Sequence, residues 1–239
     1  MKSNSVMITE LIDYRSIPRV SNSDLTRLKE EFLGTNRFIG QRALQFGRAF
    51  HSHLLEPESV GGIIEQLLPD LKPVESGRLE HLTEQVRRDS FCRRYLRKSE
   101  RERVVLFTDP LTELACKARL DMVYTSPKSR HALILDFKTT SARTQSQFLQ
   151  SCYDYDYDRQ AAFYIDGLRH ADSREWDQTR QIRFILIGVQ KQKPHRLFAI
   201  DATSIPDFVE YGRKKYRFWL RKWNEQQQVN ATPWLRQAS

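Results

Sequence analysis

Asp121, Asp136 and Lys138 are the residues whose types and spacing invite chemistry. Lys117-Ala118-Arg119-Leu120-Asp121 reads as a strand, with Leu114, Cys116, Ala118 and Leu120 on one face and Lys117, Arg119 and Asp121 on the other. Ala132 to Lys138 reads as a second, more apolar strand; the same alternation sets Asp136 and Lys138 opposite Leu135 and Phe137. Paired as a hairpin across the polar turn Ser126-Pro127-Lys128-Ser129-Arg130, the two strands bring both carboxylates and the ammonium to one sheet edge. Carboxylates so placed can hold a hard divalent cation through oxygen, and the lysine can orient or deprotonate a water beside it.

The elements around this hairpin are helical on both sides. Ser21 or Ser23 caps a helix carrying Leu25, Leu28, Phe32 and Leu33, and Gly34 stops it. The periodicity predicts a second helix over about Gln41 to Leu55, ended by Glu56-Pro57. Gly47 and His51 share a face there; a mid-helix glycine costs about 1 kcal/mol against alanine, which suggests a close neighbour. On this segment alone His51 suits a packed, hydrogen-bonded histidine as well as a ligand, and His53 falls on a different, surface-facing side. From Ser59 to Arg103 the pattern is helical and charged, and its arginines form either a solvated face or a phosphate-facing patch.

The sheet is expected to begin at Val104 to Phe107 and to turn at Asp109-Pro110. After Lys138, Thr139-Thr140-Ser141 lead into a helix near Gln145, and a further helix spans about Asp154 to Arg169. Gln160 and Tyr164 are i,i+4 neighbours on it, a pairing that signals nothing by itself. Ile182 to Val189 reads as a strand buried on both faces, with Leu197 to Ile200 pairing back onto it. A last helix from Ser204, with Pro206 in its first turn, directs Phe208, Tyr211, Tyr216, Trp219 and Trp223 to the core and frays beyond Trp223. Its many lysines and arginines are a solvated face or a second phosphate contact.

Composition narrows the function classes. A net charge of +9 and a pI near 9.6 favour a polyanionic partner, and 39% hydrophobic residues argue against disorder. The apolar runs are short and interrupted by charge, so neither a membrane span nor a signal core is expected. Cys92, Cys116 and Cys152 form no CxxC pair; they suit reduced thiols and argue against a four-cysteine metal site.

With these elements in place the chain resembles the PD-(D/E)xK nucleases, in particular the RecE/exonuclease VIII-like group related to the RecB nuclease domain. Gly47-Arg48-Ala49-Phe50-His51 fits the group's GxxxH, and Leu54-Leu55-Glu56-Pro57 its LLEP. Lys117 to Asp121 resembles K-x-R-x-D, with Leu120 where proline is usual, and Asp136-Phe137-Lys138-Thr139-Thr140 resembles D-x-K-T-T. Tyr157 with Gln160-Ala161-Ala162-Phe163-Tyr164 fits Y-x-x-Q-A-A-x-Y, and Pro18 to Leu28 is similar to the S-x-S-x-L segment.

The resemblance implies an α/β, restriction-endonuclease-like core: a central mixed sheet flanked by helices, with helical N- and C-terminal elements. One nuclease domain would fill 1–239, with a helical part at about 20–103, a sheet core at about 104–203 and a final helix at about 204–226. It implies Mg²⁺ or Mn²⁺ held by His51, Asp121, Asp136 and the Phe137 carbonyl. Lys138 would orient the attacking water and stabilise phosphate charge, and Gln160 and Tyr164 would line the site. Lys117, Arg119, Arg48 and Thr139 are candidate DNA contacts, Lys117 and Arg119 being equally compatible with ordinary ion pairs. The implied function is a metal-dependent exonuclease on the ends of linear double-stranded DNA, in recombination or repair. With it come a ring-like homo-oligomer, a single-strand annealing partner and a cytoplasmic setting in a bacterium or under a phage. An endonuclease on the same fold, or a non-catalytic DNA-binding or assembly protein, are the alternatives.

Overall fold

Strand His131–Thr140 (β3) holds the molecule together, because residues 132–137 are all buried and helices cover both its faces. In the computed structural model, which describes residues 14–34, 41–56, 73–172 and 176–231, β3 is the middle of a five-stranded sheet. Pro57, the N-terminal tail and the first part of the charged 59–103 stretch lie outside the described residues. The other strands are β1 (Glu100–Thr108), β2 (Ala115–Thr125), β4 (Gln181–Gln190) and β5 (Leu197–Asp201), in the order β1-β2-β3-β4-β5. Only β3 and β4 run parallel, from His131↔Gln181 to Thr140↔Gln190; the remaining neighbours are antiparallel. A parallel pair needs a crossover. Here helices α5 (Gln145–Asp154) and α6 (Tyr157–Arg169) supply it, α6 packing on β1, β2 and β4 and α5 on β5.

Each sheet face has its own core. One gathers Ala118, Leu120, Ile134, Phe184 and Leu186 with Leu25 and Leu28 of α1 (Asn22–Leu33), Phe148 of α5, Phe163 of α6, and Phe208, Tyr216 and Leu220 of α7 (Phe208–Ala231). The other gathers Met122, Leu135, Phe137, Ile185 and Ile187 with Phe50 and Leu54 of α2 (Gln41–Leu55), Leu82 of α3 (Pro73–Arg88) and Cys92 of α4 (Ser90–Leu96). Each fully buried side chain of this size contributes roughly 1.5–3 kcal/mol. The three cysteines are free and buried in these cores, and no helix among the described residues is long and apolar enough to cross a membrane.

Local signals hold at α1. The Ser21 hydroxyl and the Asp24 carboxylate form a reciprocal capping box, and Gly34 closes the helix at φ 60°. Four boundaries differ from expectation. The sheet starts at Glu100, not Val104: an edge strand with one side in water can carry charges that read as helix surface. The helix expected over Asp154 to Arg169 is broken at Asp156, whose φ is 55°. The last helix starts at Phe208, after Pro206, and continues to Ala231, well past Trp223. Tyr211 is exposed, because the buried stripe of α7 passes through Phe208, Gly212 and Tyr216.

Candidate active site

The site forms where the ladder between β2 and β3 stops. Pairing runs from Thr125↔Ala132 to Met122↔Leu135, and Asp121 and Asp136 would come next. Instead, the Phe137 N–H donates to Asp121 Oδ2 at 2.8 Å, so a carboxylate replaces the missing backbone acceptor. The opposite edge of β2 is interrupted at the same level. Arg101 pairs with Met122 and Arg103 with Leu120, while Glu102, facing Asp121, is skipped and takes φ 49°. Such a conformation costs a non-glycine residue about 1–3 kcal/mol. The interruption inverts the alternation: Leu120 packs in the first core, Met122 in the second and Val123 back in the first. A local break of this kind re-aims side chains. Here it lets groups from both faces of the sheet meet around Asp121.

From the α2 side, His51 Nδ1 comes within 3.2 Å of Asp121 Oδ2. One ligand atom each of His51, Glu102 and Asp121 lie within 4.8 Å of one another. Glu102 also takes Arg119 Nε at 2.9 Å. From the other side, Lys138 Nζ sits 2.5 Å from Asp136 Oδ2. That contact is a buried ion pair, and Lys138 is the one partner of the Asp136 carboxylate among the described residues. On α6, Gln160 Nε2 donates to Tyr164 Oη at 2.9 Å, and the Tyr157 ring lies 5.0 Å below Lys138 Nζ.

The electrostatics record how crowded the acids are. Burial pushes Asp136 up to about 6, with the Asp121 charge adding to the rise and Lys138 opposing it. Burial and Asp121 push Glu102 up to about 7, against Arg119. Asp121 moves the other way: burial would raise it, but His51, Lys138 and the Phe137 N–H together hold it below the usual range. Burial would lower both His51 and Lys138; the neighbouring carboxylates outweigh it and raise both. Lys138 therefore stays an ammonium at neutral pH, which fits charge stabilisation and excludes it as a general base in this state.

These shifts set a pH dependence of stability. Asp136 and Glu102 bind protons more tightly folded than at their ordinary values of 3.8 and 4.5. Between pH 5 and 8 the folded state thus holds more protons than the unfolded one, and stability falls as pH rises through about 6 and about 7. The raised His51 acts in the same sense, while Asp121 is ionised in both states across this window. Chelator-treated protein is expected to lose on the order of 4 kcal/mol from pH 5 to pH 8. Mg²⁺ or Mn²⁺ should raise the melting temperature more at pH 8 than at pH 5, because cations bind the deprotonated carboxylates. A flat profile without a cation response in a thermal melt would contradict the crowding of the acids.

His51, Asp121, Lys138 and Tyr164 line one cavity of about 910 Å³, together with Glu102, Arg48, Arg119 and Thr139. Asp136 is buried behind Lys138, and Phe137 and Gln160 are not on the cavity wall. Lys117, expected as a DNA contact, is corrected. It is buried, donates to the carbonyls of Tyr14, Arg15 and Ile17, and lies under the Tyr14 ring. Its charge is spent on pinning the N-terminal segment against the cavity, where Tyr14 and Arg15 form part of the wall. Among the described residues the close neighbour expected at Gly47 is also absent: a Cβ there would meet Thr139 Oγ1 at 3.9 Å, an ordinary contact. His53 is half-buried, not a surface residue.

The arginine-rich stretch does not supply the cavity's cations. Arg88 pairs with Glu84, Arg101 donates to the Leu55 and Leu96 carbonyls, and Arg103 pairs with Glu100. On α7, Arg213 pairs with Asp166 and Lys215 with Asp156 and Asp158, so these residues bind α6 and not a phosphate. Glu102 was missed as a site residue because it stands among arginines in a stretch read as helix. Extending β1 back to Glu100 would have placed it opposite Asp121.

Two carboxylates and an imidazole within reach of one point, beside a third, buried carboxylate, suit a hard divalent cation that tolerates one nitrogen. A model of the family described as "PDDEXK-like domain of unknown function (DUF3799)" matches residues 25–235. Among solved structures, a Eubacterium rectale protein named "Putative exonuclease" is similar at 14% identity and a TM-score of 0.59, over 84% of this chain and 71% of its own. At that identity the likeness speaks for the fold, an α/β, restriction-endonuclease-like arrangement of mixed sheet and flanking helices. Another, SSO0001, is 15% identical over 82% of this chain and 83% of its own, but its TM-score of 0.35 carries no argument. No curated protein matches the chain.

Proposed function

The chain belongs to the PDDEXK-like family described as DUF3799, and from that premise we propose that it is a metal-dependent deoxyribonuclease. The observation that carries this reading is the meeting of Asp121, Asp136, Lys138, His51 and Glu102 where β2 and β3 part. His51, Glu102 and Asp121 would hold the cation, with the buried Asp136 carboxylate close enough to Lys138 to balance its charge. When bound, Mg²⁺ or Mn²⁺ supplies Lewis-acid polarisation of a phosphate and a water of lowered pKa. Lys138 places a fixed ammonium against the charge that develops on the phosphate oxygens. Tyr164, braced by Gln160, walls the substrate strand, and Arg48, Arg119 and Thr139 are the phosphate contacts along the cavity.

At the finer level the activity is exonucleolytic, on ends of linear double-stranded DNA, in recombination or repair. The resemblance of the motifs supports this, as does the exonuclease name of the E. rectale neighbour. The same resemblance is the support for a ring-like homo-oligomer working with a single-strand annealing protein. Digestion of end-labelled linear duplex is expected to release nucleotides with Mg²⁺ or Mn²⁺ and to stop with chelator, while closed circular DNA stays intact. Nicking of the circle would replace the exonuclease by an endonuclease. DNA binding with no release under any of these cations would leave a non-catalytic DNA-binding protein.

A further inference from the structure

The cavity has an aromatic ring that core packing does not explain. Tyr155 lines it while remaining 49% exposed, although Tyr153 and Tyr157 on either side pack against the core. Its position comes from the broken joint between α5 and α6. Tyr155 caps the end of α5, and the chain reverses through Asp156 at φ 55°. That conformation is held by two ammonium groups on the Asp156 carboxylate, Lys29 at 2.5 Å and Lys215 at 3.0 Å. A continuous helix, as the sequence pattern suggests, would carry Tyr155 elsewhere. The joint holds the ring beside Tyr157, with centroids 5.9 Å apart and planes 30° from parallel. Tyr157 in turn lies under Lys138 Nζ. Aromatic rings therefore lead outward from the lysine, and Arg48, Arg119 and Lys191 line the same cavity.

A volume of about 910 Å³ is that of a small-ligand pocket, roughly 300–1,000 Å³. It has room for a nucleotide or two of one strand. Cations that follow a backbone, joined to a ring on which a base can lie, are the recognition chemistry of unpaired nucleic acid. We infer that Tyr155 is a platform on which the base next to the scissile phosphate stacks when a strand lies in the cavity. This deepens the nuclease reading and rests on it only for the identity of that phosphate.

The test is binding without turnover. Fluorescence anisotropy in chelator would use a labelled single-stranded tetranucleotide, and four versions each abasic at one position, against wild type, Tyr155→Ala and Tyr155→Phe. Loss of one base–aromatic stack predicts about tenfold weaker binding for Tyr155→Ala and little change for Tyr155→Phe. One abasic position should weaken wild type by a similar factor and add nothing in Tyr155→Ala, because both remove the same stack. Equal affinity of Tyr155→Ala and wild type, or abasic penalties that persist in the variant, would overturn the platform. If the cycle couples but no cation gives cleavage, the nuclease reading falls and the platform stands. If DNA is cleaved and the cycle is flat, the reverse holds.

Discussion

Replacing Asp121 with asparagine is expected to lower metal-dependent DNA cleavage by about 10³-fold or more while the protein keeps its fold. The reasoning separates two jobs of one carboxylate. Its Oδ2 stands in for a backbone acceptor by taking the Phe137 N–H, and an asparagine carbonyl can do the same at that distance. Its charge stands beside His51 in the three-residue cluster, and the amide cannot replace that. Loss of the charge also relieves Glu102 and Asp136, both of which Asp121 pushes up, so the folded state is not expected to suffer. Endpoint digestion of labelled linear duplex across a Mn²⁺ titration, with circular dichroism for the fold, measures both. Wild-type turnover from Asp121→Asn would remove Asp121 from the chemistry, and a collapsed fold would mean that its structural role had been underrated.

What the sequence made legible is what repeats locally. The alternation in Ala132–Lys138 and the apolar run Ile182–Val189 pointed to the central strands, and Ser21 with Gly34 marked both ends of α1. The gathering of Asp121, Asp136 and Lys138 followed from register, because a hairpin closed over 126–130 leaves no other partner for Asp121 than the level of Asp136. Harder to read was anything decided by a second element. Lys117 has the type of a phosphate contact, and only the arrival of residues 14–17 turns it inward. Glu102 looks like one charge in a mixed run until β1 is laid against β2. The break at Asp156 costs strain that no local signal predicts, since Lys29 and Lys215, which hold it, come from helices far away in the chain.

Gly212→Ala is expected to be the most damaging single change outside the site, costing about 3 kcal/mol or more and leaving little soluble folded protein. A Cβ at this position would lie 2.0 Å from the Asp158 carbonyl oxygen and 2.3 Å from its carbon, both backbone atoms of α6. Backbone cannot rotate away as a side chain can, so the helices α6 and α7 would have to part. Parting them disturbs more than contact area. Lys215 reaches the buried Asp158 at 2.9 Å, Arg213 meets Asp166 at 2.6 Å, and Tyr216 donates to the same carboxylate at 2.7 Å. Buried carboxylates deprived of their cations are among the costlier defects a fold can carry. Gly77→Ala in α3 is the matched control: among the described residues nothing lies within 4 Å of its Cβ position, and loss of a helical glycine there should stabilise by about 0.5–1 kcal/mol. Because α6 also carries Tyr157, Gln160 and Tyr164, the glycine that lets two helices touch is what holds the wall of the cavity against Lys138. Urea melts of the two variants decide the matter: a Gly212→Ala midpoint equal to wild type would show that α7 can retreat without taking that wall along.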